Sequence, residues 1–445
     1  MVEPDVIVVG GGPAGLAAAT EVAASGYLVE LVEQRNSVGG AVHRQPVDGV
    51  AHVPQARGTR ASWERVSRAF SEAQIPVRYQ SVFFGVDGDG FTLIENRQTG
   101  QVELLRPKAI IIATGAVEKV LPRPGWQLPG VSTAGGLQVM MKETGQAPQG
   151  RVLLAGTGPL LVAVAAQMAK LGNPPVAIVE AGDPLRRFRA GLKLLSDPTI
   201  LVEAAGYLAS VARRRITWLR GARIVAIEDS GTLLEVRVRD SGGSERSFTV
   251  DRIGLHDGIR PNDFGLPEDS TGPRTGPFIF RAGDCREALG AYAAETDGRR
   301  VGRMVSELLL GNLGAGDPTT ALERSRRTQA NLAALFAPVR PASPFCDLPD
   351  EIVLCRCESK TVGDLRSLCS QPDRLTGREV KHNGRFAMGA CQGRFCAENT
   401  ASLMAQLNPG EPQPLAEDLT GRRWPVRPVS IAALTRANPT RTESQ

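Results

Sequence analysis

Two short stretches late in the chain bring four thiols close together: Cys355 and Cys357 in LCRCE, and Cys391 and Cys396 in MGACQGRFC. Two close cysteine pairs separated by a longer insert suit a tetrahedral sulfur site, the ligand set of zinc and iron–sulfur centres alike. Zinc ribbons usually space each pair as CxxC, whereas the tighter CxC pair is known in small [2Fe–2S] modules. A [2Fe–2S] cluster on these four cysteines is therefore the leading expectation, with zinc or no metal as alternatives. Arg356, Lys381, Arg385 and Arg394 crowd the cysteines, and their charge would offset a cluster held by four thiolates. Cys285, Cys346 and Cys369 fall outside the pattern and read as structural thiols.

A second chemistry is written at the opposite end. GGGPAG sets Gly10, Gly12 and Gly15 after the apolar run Val6 to Val9 and before an Ala-rich helical stretch. In such a turn the first glycine permits the bend, the second lets backbone approach a pyrophosphate, and the third lets helix and strand pack closely. The helix start then offers free N–H groups to the phosphates. Glu33 ends the next apolar run, where its carboxylate would accept hydrogen bonds from a ribose diol. The turn alone does not separate FAD from NAD. Three further features favour FAD: the pair Gly39 and Gly40 after the acidic residue, ATG at Ala113, Thr114 and Gly115 closing an apolar run, and AGD at Ala282 to Asp284 before a helical stretch. Pro13, Ala14, Gln34, Val82 and Gly283 complete the expected cofactor-binding set. His43 follows the glycine pair and is the one histidine placed beside the expected flavin; His52, His256 and His382 form no ligand spacing.

The glycine turn recurs in damaged form. Gly156 and Gly158 keep the first two positions, but Leu161 stands where the third glycine belongs. The leucine either pushes helix from strand or fills space a dinucleotide would use. Glu180 still ends the following run, so Gly156, Gly158 and Glu180 are candidate contacts for an adenine nucleotide in a second domain. No CxxC accompanies either turn, so a redox-active disulfide is not expected.

These residues need elements to hold them. Each glycine turn sits in a strand–turn–helix–strand unit, and both following strands are continuous apolar runs of the parallel, buried kind. The chain of 445 residues, 42% hydrophobic and 22% charged, is long enough for two or three domains. Its net charge of +5 does not argue for nucleic acid, and the triplet Arg213–Arg215 reads as a solvated face. The start reads as a first strand and not as a signal peptide, and no apolar run reaches the length of a membrane span. Clustered, odd-numbered cysteines speak against a disulfide framework, which makes a reducing cytoplasm the simplest compartment. The expected fold is α/β: two dinucleotide-binding, glutathione reductase-like Rossmann-type domains plus a small C-terminal helical [2Fe–2S] module. The expected boundaries are residues 1–120 with 246–320 for the FAD domain and 121–245 for the second domain. A Pro-rich linker takes 321–350, the cysteine module 351–410, and a Pro- and Arg-rich tail 411–445.

Over residues 1 to 320 the glycine turns, ATG and AGD together resemble the two-dinucleotide-domain flavoproteins that include glutathione reductase. With CRCE, MGACQGRFC, GWQLPGV and GTGPLL added, nearly the whole chain resembles a narrower family. That family comprises the B subunit of hydrogen cyanide synthase, the A subunit of octopine and nopaline oxidases, and the alpha subunit of D-hydroxyproline dehydrogenase. Leucine at the third glycine position is typical of these chains. The cysteine module resembles bacterioferritin-associated ferredoxin, which however closes with CxxC where this chain has Cx4C. The resemblance implies a partner, a catalytic beta subunit similar to D-amino-acid oxidases that oxidises the C–N bond on its own flavin. In some complexes a small ferredoxin-like subunit joins them, and peripheral membrane association through the complex stays open. For this chain it implies electron relay between FAD and a [2Fe–2S] cluster. The competing expectations are a self-contained NAD(P)H-dependent reductase, a hydrogen cyanide synthase-type subunit that works on glycine, and a structural assembly subunit.

Overall fold

The computed structural model describes residues 3–269, 276–312, 320–340, 345–410, 412–421 and 425–437. The chain begins with β1 (Val6–Val9), α1 (Pro13–Ala24), β2 (Val29–Val32), α2 (Arg57–Glu72) and β3 (Val77–Arg78). A three-stranded antiparallel ribbon follows, β4 (Ser81–Val86), β5 (Thr92–Asn96) and β6 (Gln101–Leu105), then β7 (Ala109–Ile112) and β8 (Ala116–Glu118). Every residue of β1 and β7 is buried, as strands covered on both faces require.

The chain then leaves to build a second unit: β9 (Val131–Thr133), α3 (Ala134–Thr144), β10 (Val152–Gly156), α4 (Pro159–Lys170), β11 (Ala177–Glu180), α5 (Phe188–Leu192), α6 (Pro198–Arg213) and β12 (Thr217–Arg220). An antiparallel ribbon, β13 (Arg223–Ser230), β14 (Leu233–Arg239) and β15 (Glu245–Val250), leads into β16 (Arg252–His256). The return runs through β17 (Ile259–Pro261), which pairs with β8, to β18 (Phe278–Arg281) and α7 (Ala291–Leu309). The two parallel sheets have the orders β18-β7-β1-β2-β3 and β12-β11-β10-β16-β9. This is a mixed α/β fold with two Rossmann-like sheets. Because β16 pairs along its whole length with β10, the second unit reaches His256, beyond the boundary of 245 expected from sequence.

The expected linker over 321–350 is corrected as well: its first half is α8 (Thr320–Phe336), a stretch free of Gly and Pro and rich in good helix formers. The helix stops at Phe336, two residues before Pro338. The cysteine region contains the hairpin β19 (Val353–Cys355) and β20 (Lys360–Thr361), then α9 (Val362–Cys369), α10 (Gly377–Gly384) and α11 (Ala397–Leu407). Helices α9 and α10 each start with a capping box, Thr361 with Asp364 and Thr376 with Glu379. This module does not stand apart. Ile352, Leu354, Val362 and Phe386 share one hydrophobic core with Trp126, Leu153 and Val236 of the second unit, and Trp126 Nε1 donates to the Val353 carbonyl at 2.7 Å.

The tail adds α12 (Ala416–Thr420) and α13 (Ile431–Thr435), and drapes over the first unit's ribbon. Val426 N–H donates to the Phe84 carbonyl at 2.8 Å, and Ala433 packs with Val82, Phe84, Leu93 and Val102. Portions of the expected linker and tail, residues 341–344, 411, 422–424 and 438–445, lie outside the described residues. Among the described residues no helix is long and apolar enough to cross a membrane.

Candidate functional site

The first glycine turn joins β1 to α1, and its three glycines do different work. A methyl on Gly10 would run into the Ala113 carbonyl, and one on Gly15 into the Gly10 carbonyl, so these two positions let α1 dock on β1 and β7. Gly12 is different. Its backbone is extended, and the nearest heavy atom to an added Cβ is Gly40 Cα at 3.8 Å. The protein's own packing does not require glycine there; the missing side chain leaves a cradle into which backbone can meet a phosphate. Helix α1 opens with Pro13 and carries no side-chain cap, so its first N–H groups face that cradle without a competing side-chain acceptor. Gly39 N–H donates to the Gly11 carbonyl at 2.7 Å, which lays the second glycine pair against the first turn.

Glu33, nearly buried at the end of β2, accepts from Gly11 N–H at 2.7 Å and from Arg35 N–H at 3.0 Å. Two carboxylate oxygens offer about four acceptor sites, so each retains room for a ribose hydroxyl. Gln34 Oε1 accepts from Arg427 of the tail at 3.2 Å, and buried Val82 sits in β4, which starts beside Glu33. Across the sheet, Thr114 Oγ1 donates to the Asn262 carbonyl at 2.8 Å, and Asn262 Nδ2 returns a bond to the Thr114 carbonyl at 3.1 Å, fixing Ala113–Gly115. Gly283 N–H donates to Asp297 Oδ2 at 2.8 Å. Asp284 Oδ1 accepts from Leu289 and Gly290 N–H at 3.0 and 2.9 Å and so closes the turn before α7; burial raises its carboxyl. Gly10 to Gly15, Glu33, Ala113 to Gly115, Gly283 and Asp284 thus follow the carboxyl ends of strands of one parallel sheet, while Val82 lies on the antiparallel ribbon beside it.

Sequence reasoning missed what anchors this edge. Lys142 of α3 is buried and donates to the carbonyls of Ala41 and Val42 at 3.0 Å each, tying the loop after Gly40 to the second unit. Burial lowers its pKa to about 8. Buried His43 stacks on Trp63 with ring centres 5.3 Å apart, and neither ring nitrogen has a partner; burial first, then Lys142, lowers its pKa to about 4. A lysine on a mixed helical face gives no sequence signal of such a contact.

At the second turn, Gly158 N–H donates to both Glu180 oxygens at 3.4 and 3.3 Å, and Gly182 N–H to one of them at 3.1 Å. Glu180 is fully buried, and burial raises its pKa to about 8. Leu161 packs with Ala134, Leu137, Val152 and Ile178, so it fills core between α4 and the sheet. His256 Nδ1 lies 2.8 Å from Glu118 Oε1, while its Nε2 lies 3.7 Å from where a Gly158 Cβ would be.

In the cysteine module the four sulfurs form one chain of contacts, Cys355 to Cys396 to Cys391 to Cys357. Cys396 lies beside both neighbours, and these contacts hold Cys355 down to about 6 and Cys391 down to about 5 while Cys396 itself is pushed up. Backbone N–H groups lie beside the sulfurs and favour their charged form: Glu358 and Ala387 at Cys355, Phe395 and Gly393 at Cys391, Cys391 at Cys357, and Ala387 again at Cys396. Ser359, Arg385, Ala387 and Gln392 hold positive φ without being glycine, a local cost that turns these N–H groups inward. Gly389 lets the two cysteine loops meet, since a methyl there would strike Cys357 Cβ. The sulfurs contact pairwise and do not surround a centre: among the described residues no three His, Cys, Asp or Glu side chains are arranged to hold a metal ion. Thiols that share hydrogens draw together in pairs, whereas metal-bound thiolates stand around the ion.

The family model described as pyridine nucleotide-disulphide oxidoreductase matches residues 4–298. The A subunit of the opine oxidase of Agrobacterium tumefaciens (strain Ach5) is 30% identical, across 97% of this chain and 91% of that one. The hydrogen cyanide synthase subunit HcnB of Pseudomonas aeruginosa is 29% identical, across 88% and 90%. Among solved structures, the L-proline dehydrogenase of P. horikoshii superposes with a TM-score of 0.62 at 19% identity, over 97% of this chain and 79% of that one, a likeness of fold.

Proposed function

The chain belongs to the pyridine nucleotide-disulphide oxidoreductase family, grouped with the A subunits of opine oxidases, and is an FAD-dependent oxidoreductase; from that premise we propose that it is the electron-relay subunit of a heteromeric dehydrogenase. FAD rests on Gly10, Gly12, Pro13, Ala14, Gly15, Glu33, Gln34, Gly39, Gly40, Val82, Ala113, Thr114, Gly115, Gly283 and Asp284. A [2Fe–2S] cluster rests on Cys355, Cys357, Cys391 and Cys396. A partner similar to D-amino-acid oxidases oxidises the substrate, an opine or a related amino or imino acid such as D-hydroxyproline, and a small ferredoxin-like subunit joins the assembly.

One observation carries the cluster: four cysteines distant in sequence converge, and the backbone N–H groups of five residues lie beside their four sulfurs. Such N–H groups stabilise negative sulfur and tune the potential of a cluster. The donor set, four thiols and no imidazole, fits iron–sulfur chemistry, and Gly389 and Gly393 give the loops their close approach. When bound, FAD accepts electron pairs and releases them singly, and a [2Fe–2S] cluster carries one electron at a time. The chain's own part is to hold the two in separate units and to shield them. Gly12 and the α1 N–H groups take the pyrophosphate, Glu33 the ribose, and the glycine-lined cysteine loops the cluster. The partner is supported by the relatives' printed names, each of which is a subunit.

Chain purified without oxygen is expected to hold about two iron and two acid-labile sulfide. Cys391→Ser should lose both and keep its flavin, because the two sites lie in different units. Zinc in place of iron, or flavin lost together with iron, would refute the assignment.

A further inference from the structure

The family's name implies a nicotinamide dinucleotide, and the second glycine turn is where it would bind. In a strand–turn–helix–strand unit the adenosine half lies outside the carboxyl ends of the two strands, with its ribose at the acidic residue. Here that place is filled by the chain itself. After α8 the backbone of residues 334–340 crosses the ends of β10 and β11. Thr157, the middle residue of the glycine turn, donates its hydroxyl to the Phe336 carbonyl at 2.7 Å. Pro338 bridges to Gly182, and Val339 N–H donates to the Ala181 carbonyl at 2.9 Å. Arg187 clamps the segment from outside, donating to the carbonyls of Ala334 at 3.0 Å and Pro338 at 3.2 Å. A methyl on Gly182 would strike the Phe336 carbonyl, so the segment lies directly on the residue that follows Glu180 by two.

We infer that residues 334–340 are a built-in occupant of the adenosine half of the second nucleotide site, so that this unit takes no nicotinamide dinucleotide. Two further features agree, and Thr157 of the strap itself marks the difference from the first unit. Glu180 has its oxygens turned to the N–H groups of Gly158 and Gly182 and no surface on which to meet a ribose. Leu161 is committed to the core in place of the third glycine. Thr157 stands where the first unit has Gly11, and its hydroxyl donates to the crossing segment while also touching the Glu180 carboxyl. The two units of this one chain therefore differ where it matters: the turn at Gly12 keeps a cradle, and the turn at Thr157 is strapped. The family's nicotinamide chemistry does not fit this chain's second unit, and its flavin must receive electrons from another kind of donor, such as a reduced partner subunit.

Amide hydrogen exchange on the full flavin-loaded chain tests this, with NADH, NADPH and ADP-ribose as probes. The Val339 amide should be protected at least about ten-fold, as a bonded and not a fraying segment is. None of the probes at millimolar concentration should alter exchange at Gly158, Gly182 or Val339. A nucleotide at a hundred times its dissociation constant would slow exchange at the site about 100-fold. The variant Thr157→Val with Arg187→Ala should speed exchange at Val339 while flavin absorbance is kept, which shows that the named bonds hold the strap. An unprotected Val339 in the native chain overturns the inference. So does saturable slowing at Gly158 and Gly182 with release of Val339. Either failure would leave the flavin reading intact, since flavin absorbance is recorded on the same sample.

Discussion

Gly12 and Gly15 look alike in the sequence, yet the structure predicts opposite fates for them. Gly12→Val adds a side chain where the protein has space, so the variant should fold and lose FAD; gel filtration and flavin absorbance together check both halves. Gly15→Ala drives a methyl into the Gly10 carbonyl and should fail to fold. Full flavin in the Val variant would place the pyrophosphate elsewhere. Leu161→Gly empties a buried core position and should cost about 2–5 kcal/mol without gaining a nucleotide site, measured by denaturant unfolding and NADH titration. Glu180 supplies a pH test. Burial raises its pKa from 4.5 to about 8, so the folded chain holds this proton more tightly than the unfolded one. Its contribution is complete below about pH 4.5 and is lost as pH rises through about 8. Unfolding stability should therefore decline across that window, and Glu180→Gln should flatten the decline; parallel curves would contradict the buried acid. The spacing of Gly10, Gly12, Gly15 and Glu33 is legible in the sequence because a phosphate turn demands those residues. The roles of Lys142 and Trp63 are not, because their contacts join segments far apart along the chain.

At the scale of elements, strands and helices beside the glycine turns follow from apolar runs and from the proline that opens each helix. The elements that differ from expectation are those whose partners are remote. Arg252–His256 is a buried strand with either sheet as a candidate neighbour, and only tertiary packing assigns it to β10. Residues 320–336 precede a proline cluster whose composition reads as a linker, yet they form a helix. The tail's draping agrees with its composition, but its anchor has no local signal: Val429, Ala433 and Leu434 close over Val82, Phe84 and Leu93 of the ribbon, and Arg427 reaches Gln34 beside Glu33. Buried apolar side chains of this kind contribute about 1.5–3 kcal/mol each. A chain ended after Gly421 should lower the midpoint of thermal unfolding and release FAD faster, followed by flavin fluorescence during dilution. An unchanged release rate would mean that the tail only covers the ribbon.

Across the whole molecule, the two Rossmann-like units, the strapped second turn and the convergent thiols are the parts on which the proposed electron relay is built. On the proposed reading flavin sits in the first unit, and the cysteine module shares its hydrophobic core with the second. The sheet and ribbon of the second unit still carry the module, a role that the inferred loss of its dinucleotide would leave intact. On its own the chain should not oxidise an opine or D-hydroxyproline, and with an oxidase-like partner it should pass electrons to an artificial acceptor. The most direct measurement is an anaerobic reductive titration of the purified full chain, counting electrons per molecule against flavin absorbance. Electron relay through both cofactors predicts about three electron equivalents, two for FAD and one for a [2Fe–2S] cluster, falling to about two in Cys396→Ser. Two equivalents in the native chain, with the flavin fully reduced, would contradict it.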